Sequence, residues 1–555
     1  MSSSNKMLNG TLFDWKTPET VIPKPLTLKD ALISSIPKTE ISNFLDPQLE
    51  TDPLWKHFDK ITEVLAKMKP GRVFISADYD VDGTTSGIIL GKMLGVLGWD
   101  VGVFVPDRFK ENYGVNYPVL DEEFKRKKFD LLITADCGAT ELFGLSEFGK
   151  KHKIPVCVID HHKRGKKGDV VEINPHMFED IQASHYCTGV LCFMLAKKLS
   201  EACPQISRLM PEIELLAGLS AMADVISMKG TVSRWLAKNF LAKGGTQTIN
   251  VGISALVNIA ELKGEKLTST DVGFKIVPMI NAAGRLKHAA LVLALFDTAS
   301  PQEAETIAFE LQKLNTQRKQ IQETIEKEAM KKYNKGDKVL AVADKGWHAG
   351  VVGPAAGTLS ERLNIPVFLG GLLEEKGVYS FSARSASGID IHGLVTKSMN
   401  GRNIQFGGHK VALGMKIEKE RIDILKDLSD EMNKNCENAG KGVKQISRYL
   451  TTKSVSFLHW NDILSLEPFG IDNPSPFFCI PNVKLSLTPM ASNPDHARGL
   501  IEDQHGSLPA VVFRSPMLSK ISKFEGHVVG EFVCSKFRNE TVVKFNIKDL
   551  IPTNS

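Results

Sequence analysis

Four short stretches of the chain concentrate side chains that bind cations or move protons. The first is Asp78-Tyr79-Asp80-Val81-Asp82-Gly83, with three acids at alternate positions. Alternate residues of a strand point to one face, so three carboxylates at this spacing can share one side. Gly83 allows a tight turn into a helix N-terminus, where phosphate oxygens are welcome. The second is Asp136, directly after the apolar run that ends at Ala135. The third is the triplet Asp160-His161-His162, again after an apolar run. The fourth is Asp224, whose neighbours are mostly small or apolar. Crowded carboxylates repel one another unless cations neutralise them. Carboxylate plus imidazole suits Mn²⁺ or Mg²⁺, and two such ions about 3.5–4 Å apart support in-line attack on phosphorus. Each stretch also has a plainer explanation: a calcium loop, a helix cap, a pair of surface histidines. The calcium loop fails, because Ile89 stands at the twelfth position where a bidentate glutamate is needed. It is the order and spacing of all four together that point to metal-dependent phosphoryl chemistry.

The elements that must carry these residues are legible as alternating patterns. Residues 72–78, 101–106, 130–136 and 155–160 read as buried strands, and helical patterns separate most of them. Such alternation predicts a parallel βαβ-type sheet, with ligands at the carboxyl ends of its strands. A helix-rich stretch covers about 185–270. An amphipathic pattern then runs from Pro301 to Lys332, through Ala304, Ile307, Ala308, Leu311, Leu314, Ile321, Ile325 and Ala329, and predicts a connector helix. A second α/β unit begins at 339–344 and carries three glycine-rich segments. These contain His348, then Ser382 and Arg384, then Gly407, Gly408 and His409. Glycine lets backbone N–H groups approach a phosphate, and arginine grips one bidentately. Closely spaced short β runs after about residue 475 predict a β-rich domain and fit a small barrel, the form that the resemblance given below implies. The expected fold is therefore α/β, in five parts. Residues 1–50 form a loosely packed lead-in, 51–300 the catalytic parallel-sheet domain and 301–335 the connector helix. Residues 336–450 form a smaller α/β domain and 451–555 a C-terminal β-barrel.

Composition narrows the class. The net charge of +5 over 555 residues is mildly basic, so a polyanionic partner would have to meet a local patch. None of the eight cysteines forms a CxxC pair, and several lie in apolar runs. Free thiols in a reducing cytoplasm explain them better than disulfides or structural zinc. The N-terminus has no apolar run, and no stretch of about 18 or more apolar residues suggests a membrane span. No membrane association is expected, and a monomer is the default.

Taken in order, DYDVDG, TADCG, the DHH triplet and ADV resemble motifs I to IV of the DHH phosphoesterases. The resemblance implies that Asp80, Asp82, Asp136, His161 and Asp224 bind two Mn²⁺ or Mg²⁺ ions. It implies that His162 supports catalysis beside them, that Asp160 holds the site in shape, and that Asp78 has a supporting role. Ser76 departs from relatives that carry an extra histidine ligand there. The glycine-rich segments are similar to the DHHA1 subdomain. The final β runs look like an OB-fold. VPDRFKENYG (105–114), PMINAAGRLKHA (278–289) and EPFGIDNPSPFF (467–478) resemble segments of the RecJ-type exonuclease branch, with Asn112 and Met279 replacing its usual glycine and arginine. That resemblance spans about residues 40–550. It implies a 5′→3′ exonuclease specific for single-stranded DNA that releases 5′-mononucleotides by two-metal hydrolysis, in DNA repair and recombination. It implies substrate contacts at Arg108, Asn281, Arg285, His348, Ser382, Arg384, Gly407, Gly408 and His409. It also implies a helicase and a single-strand-binding protein as partners. The competing readings are a nano-RNase or cyclic-dinucleotide phosphodiesterase, and a catalytically weak scaffold of the same family.

Overall fold

The computed structural model describes residues 7–17, 38–111, 114–247, 249–399, 404–436, 443–515, 517–537 and 540–553. Asn112 lies outside them. The chain divides into two compact units: residues 38–318 with 467–474, and residues 1–37, 319–466 and 475–555. Strands are numbered along the chain, from β1 (Met7–Asn9) and β2 (Asp14–Lys16) of the second of these units.

The unit of residues 38–318 is built on five parallel strands. They are β3 (Arg72–Ala77), β4 (Asp100–Phe104), β5 (Leu131–Ala135), β6 (Val156–Ile159) and β7 (Val171–Ile173), in the order β4-β3-β5-β6-β7. Side chains alternate between the faces, and the sequence supplies a core for each. Val73, Ile75, Leu131 and Ile133 join the large core beneath the helices Val81–Val96, Thr188–Ser200 and Pro204–Ala223. Phe74 and Leu132 join a second core with Phe129, Leu145 and Phe148 on the opposite face. Burial on both faces explains why β3, β5 and β6 read as continuous apolar runs without polar alternation. The chain leaves β3 for β4 on one side and returns to β5 on the other. The order of strands therefore reverses between β3 and β5, where open α/β sheets bind ligands.

In the other unit, β8 (Leu340–Asp344), β9 (Val367–Leu373), β10 (Val378–Arg384), β11 (Gln405–Gly408) and β12 (Ala412–Glu418) form a mixed sheet in the order β11-β12-β10-β9-β8. Next come β13 (Val443–Tyr449), β14 (Phe477–Met490), β15 (Asn493–Asp503), β16 (Gly506–Val512), β17 (Lys523–Phe537) and β18 (Glu540–Pro552). β14 pairs with both β15 and β17, closing β14-β15-β16-β18-β17 into a five-stranded barrel of OB type. The amphipathic pattern after residue 300 is one helix, Pro301–Lys331.

Two expectations need correction. The residues before 50 are not all a loosely packed lead-in: β1 and β2 form a hairpin, and β2 extends the barrel sheet in parallel with β13. Trp15 causes this. Its ring is fully buried between Phe13 and Phe477, and its indole N–H donates to Asp549 Oδ2 at 2.8 Å. Nor do residues 451–555 all belong with the barrel, because residues 467–474 are part of the parallel-sheet unit. The fully buried Arg234 guanidinium donates to the carbonyls of Phe44, Met228, Glu467 and Pro468, and stacks 3.7 Å from the Phe44 ring. The Glu467 carboxylate accepts from the backbone N–H groups of Ser269 and Phe469. Among the described residues no helix is long and apolar enough to cross a membrane.

Candidate metal centre

The three acids of the first stretch do not share one face of a strand. β3 ends at Ala77, and the chain then turns: Asp80 caps the helix Val81–Val96, accepting from Gly83 N–H at 3.1 Å, and Asp82 lies in its first turn. The turn wraps so tightly that a Cβ on Gly83 would overlap the Asp78 carbonyl. Gly83→Ala is therefore expected to cost about 1–3 kcal/mol and to displace Asp78 and Asp80. A lowered melting temperature together with at least a tenfold loss of hydrolytic rate would show it, and an unchanged rate would refute it.

The strand ends bring the remaining groups in. Asp136 follows β5, Asp160 follows β6, and Asp224 caps the C-terminus of the helix Pro204–Ala223. Asp136 has φ +62° and Val225, next to Asp224, has φ +55°. Left-handed backbone at a non-glycine residue is strained and persists where the surroundings enforce it, typically at sites. Three sets of donor atoms converge, each within 4.8 Å: Asp78, Asp80 and Asp136; Asp82, His161 and Asp224; Asp136, Asp160, His161 and His162. His161 Nε2 lies 3.3 Å from Asp136 Oδ1, 3.5 Å from Asp224 Oδ2 and 3.8 Å from Asp82 Oδ2.

Several of the candidate ligands are held from behind. Asp82 accepts from Thr188 N–H at 2.8 Å and Gly189 N–H at 2.7 Å, the first amides of the helix Thr188–Ser200, and from the Ser220 hydroxyl. Those unsatisfied amides and the helix dipole fix the carboxylate as an anion acceptor. Thr188 Oγ1 donates to Asp136 Oδ1 at 3.2 Å. Asp160 is wholly engaged: Oδ1 accepts from His161 N–H at 2.7 Å, His162 N–H at 3.1 Å and His162 Nδ1 at 2.8 Å, while Oδ2 accepts from Ala139 N–H at 2.9 Å. Asp160 is thus the brace of the DHH triplet, setting the His162 tautomer so that Nε2 faces away from it. Asp160→Asn is expected to lower kcat roughly 10–100-fold with little change in KM. An equal rise in KM would instead assign Asp160 to substrate binding.

The electrostatics ask for cations. Burial, then the neighbouring carboxylates, push Asp78, Asp136 and Asp224 well above the ordinary aspartate range, and Asp80 upward. Burial lowers His161, favouring the neutral imidazole that ligates metals. For His162, burial pulls the pKa down, but the Asp160 bond and the nearby acids outweigh it and raise it. Asp160 is lowered overall: burial raises it, and the bonds from His162 and the backbone overcome that. Among the described residues, Asp78 Oδ1 and His161 Nε2 are buried without a hydrogen-bond partner. Buried acids and an orphaned imidazole nitrogen together fit divalent cations.

The residues read as substrate contacts divide between the units. In the parallel-sheet unit the Arg108 guanidinium lies 5.3 Å from the centre of the Tyr79 ring. Asn281 and Arg285 stand four apart on the helix Val277–Leu286, so they share a face, and Gly284 beside them packs against Tyr79. Burial raises Tyr79 to about 12 despite both arginines. The sequence reading did not single out Tyr79, although it sits inside the first acidic string. Met279 is buried in the core, which accounts for an apolar residue there. Ser76 is buried within β3, and its carbonyl accepts from the Cys137 thiol at 3.6 Å.

In the other unit Ser382 on β10 lies in register with Gly414 on β12, which is opposite Gly407 on β11. Cross-strand partners share a face, so Ser382 looks over a floor of glycine backbone. Arg384 is two residues along the same face. Gly353 of the helix Val352–Leu363 approaches both Ser382 and Arg384. His348 precedes that helix, and its carbonyl accepts from Val351 N–H at 2.8 Å. Gly408 has φ +143°, and His409 N–H closes the β11–β12 turn onto Ala412 O at 2.7 Å.

Comparison with known proteins places this geometry. Residues 72–222 match the model of the DHH family, N-terminal domain. Residues 336–436 match the DHHA1 domain and residues 448–549 the RecJ OB domain. The single-stranded-DNA-specific exonuclease RecJ of Bacillus subtilis is 27% identical over 92% of this chain. The protein of the same name from Thermus thermophilus is 29% identical over 83% of it. The chain spans 65% of the length of each of these two relatives. The crystal structure of RecJ in complex with Mn²⁺ from Thermus thermophilus shares the fold, with a TM-score of 0.77 at 23% identity over 94% of this chain and 75% of that one. A structure of exonuclease RecJ bound to manganese is 27% identical, with a TM-score of 0.58 over 71% of this chain and 97% of that one.

Proposed function

Because the chain belongs to the DHH/DHHA1 family and carries the RecJ-type OB domain as well, we propose that it is a metal-dependent exonuclease specific for single-stranded DNA. It degrades the strand from its 5′ end and releases 5′-mononucleotides. The observation that carries this reading is the meeting of Asp80, Asp82, Asp136, His161 and Asp224 where the strand order reverses, with His161 Nε2 and Asp78 Oδ1 left without hydrogen-bond partners among the described residues. These residues would hold two Mn²⁺ or Mg²⁺ ions, which when bound supply charge neutralisation at the phosphate and activation of the attacking water.

The chain's own residues supply the rest. Asp160 orients His162, whose raised pKa keeps a proton available for a phosphate oxygen. In one unit Arg108, Asn281 and Arg285 bind phosphate beside Tyr79. In the other, Ser382 and Arg384 over the glycine floor, with His348, Gly407, Gly408 and His409 around them, offer hydroxyl, guanidinium, imidazole and amide donors to another phosphate. Recognition of a terminal 5′-phosphate gives the polarity, and the OB barrel adds backbone and stacking contacts. Repair and recombination, a cytoplasmic monomer, and a helicase with a single-strand-binding protein as partners complete the proposal.

The test is incubation with Mn²⁺ and a 5′-phosphorylated, 3′-labelled single-stranded oligonucleotide, beside its duplex, dinucleotides and cyclic dinucleotides. Stepwise shortening of the single strand alone, with mononucleotide release, is expected. Selective hydrolysis of dinucleotides or cyclic dinucleotides would reassign the substrate, and binding without hydrolysis of any of them would make the protein a scaffold.

A further inference from the structure

The loop that follows the DHH triplet is Lys163-Arg164-Gly165-Lys166-Lys167-Gly168, four cations in six residues with no acid among them. We propose that this loop and Phe143 form a second nucleic-acid contact, a cation–aromatic platform for the strand on the 3′ side of the bond being cut. The proposal rests on the single-strand reading above and adds a surface to it.

The loop is fixed rather than draped. Arg164 forks onto the buried Glu172 carboxylate, with Nε at 2.9 Å from Oε1 and Nη2 at 2.8 Å from Oε2. Gly165 N–H donates to Ala139 O at 2.8 Å, and Ala139 N–H in turn donates to Asp160 Oδ2. The loop lies so close to the chain at 140–142 that a Cβ on Gly165 would overlap the Thr140 carbonyl, and one on Gly168 the Leu142 carbonyl. One arginine is thus used to anchor the loop, and three lysines are left on its outer side.

Lys163, Lys166 and Lys167 are all exposed, and among the described residues no carboxylate pairs with them. Several lysines of the same domain are matched, among them Lys127 with Asp100, Lys150 with Glu147 and Lys151 with Asp121; what sets this loop apart is three unmatched lysines within five residues beside an exposed ring. Lys166 Nζ sits 3.9 Å from the centre of the Phe143 ring, and Phe143 is still 45% exposed. An exposed aromatic ring among unmatched cations suits a chain that carries a phosphate and a flat base in each unit. An acidic peptide would use the lysines but leave the ring without a role. Lys166 lies four positions from His162, at most roughly 14 Å of chain, so the platform lies within a few nucleotides of the candidate metal centre.

The test uses the full-length protein with Mn²⁺ and a 5′-phosphorylated single-stranded 12-mer. Phe143→Leu keeps apolar bulk and removes the ring. It is expected to raise KM roughly 5–10-fold with kcat unchanged, and Phe143→Trp to restore it. Combining Lys163→Gln, Lys166→Gln and Lys167→Gln should flatten the dependence of log KM on log salt by about 2, at roughly 0.7 per phosphate contact on a single strand. If wild-type protein cleaves the 12-mer and both variants keep its KM and salt slope, the platform is refuted while the exonuclease reading stands. An acidic peptide that binds the lysines under those conditions would assign the loop to a protein partner and likewise overturn the proposal. A fall in kcat with KM unchanged would also refute it, because the loop would then be acting through His162. If wild-type protein leaves the 12-mer intact, the exonuclease reading itself has failed.

Discussion

Asp136→Asn is expected to lower single-strand hydrolysis by about 10³-fold at saturating Mn²⁺, while raising the melting temperature of the metal-free protein. The two effects have one cause. Asp136 is buried among Asp78, Asp80, Asp82 and Asp224, and burial followed by their repulsion drives its pKa far upward. A buried charge held against that gradient destabilises the folded state until a cation neutralises it. Asparagine removes the charge, keeps the shape, and tolerates the left-handed backbone at φ +62° that alanine would strain. The lost ligand costs on the order of 4 kcal/mol of transition-state stabilisation, hence the thousandfold. Single-turnover rates and thermal melts with and without chelator read the two effects separately. Full activity in the variant would end the metal-site account. A lower metal-free melting temperature would show that Asp136 is structural.

Much of the site was legible in the sequence, because metal centres in open α/β sheets form where strands end. The apolar runs before Asp78, Asp136 and Asp160 marked three such ends, and the observed parallel strands stop at Ala77, Ala135 and Ile159. What the spacing could not give was the geometry after the strand. The alternate acids of the first string suggested one strand face, yet Asp80 is a helix cap and Asp82 lies in the first turn. The same residue spacing fits both forms, and only the close approach of Gly83 to Asp78 decides between them. The contact between Tyr79 and Arg108 is between residues distant in the sequence, which local spacing does not reveal.

The limits of pattern reading show equally in the barrel. β14, β16, β17 and β18 follow apolar alternation. β15 runs through Asn493-Pro494-Asp495-His496-Ala497-Arg498, where polar residues hide the strand. The hairpin of β1 and β2 has three residues in each strand, too few for any period to emerge, and a single tryptophan anchors it. Residues 467–474 look like a linker by composition. Their place in the parallel-sheet unit is set by a buried arginine more than 200 positions earlier, which periodicity cannot anticipate.

Mn²⁺ is expected to stabilise the parallel-sheet unit strongly at pH 8 and weakly at pH 5. Asp78, Asp80, Asp136 and Asp224 all have raised pKa values in the metal-free fold. A raised carboxyl contributes stability that is fully present below its unfolded pKa of about 4 and is lost as pH rises through its folded value. The metal-free unit therefore weakens on going from pH 4 toward neutrality. Divalent ions bind the deprotonated set, so their affinity rises over the same interval. Asp160 works the other way: its lowered pKa gives stability above the ordinary aspartate range that disappears only in stronger acid. It therefore adds little to the difference between pH 5 and pH 8. Two ions at about 100 times their dissociation constants add about 5 kcal/mol, a shift on the order of 10 °C for a unit of this size. Thermal melts of the full chain at both pH values, with Mn²⁺ and with chelator, measure it. In Asp136→Asn the shift at pH 8 should shrink by half or more. An equal shift at pH 5 and pH 8, or one untouched in the variant, would place the bound ions somewhere other than the acid cluster.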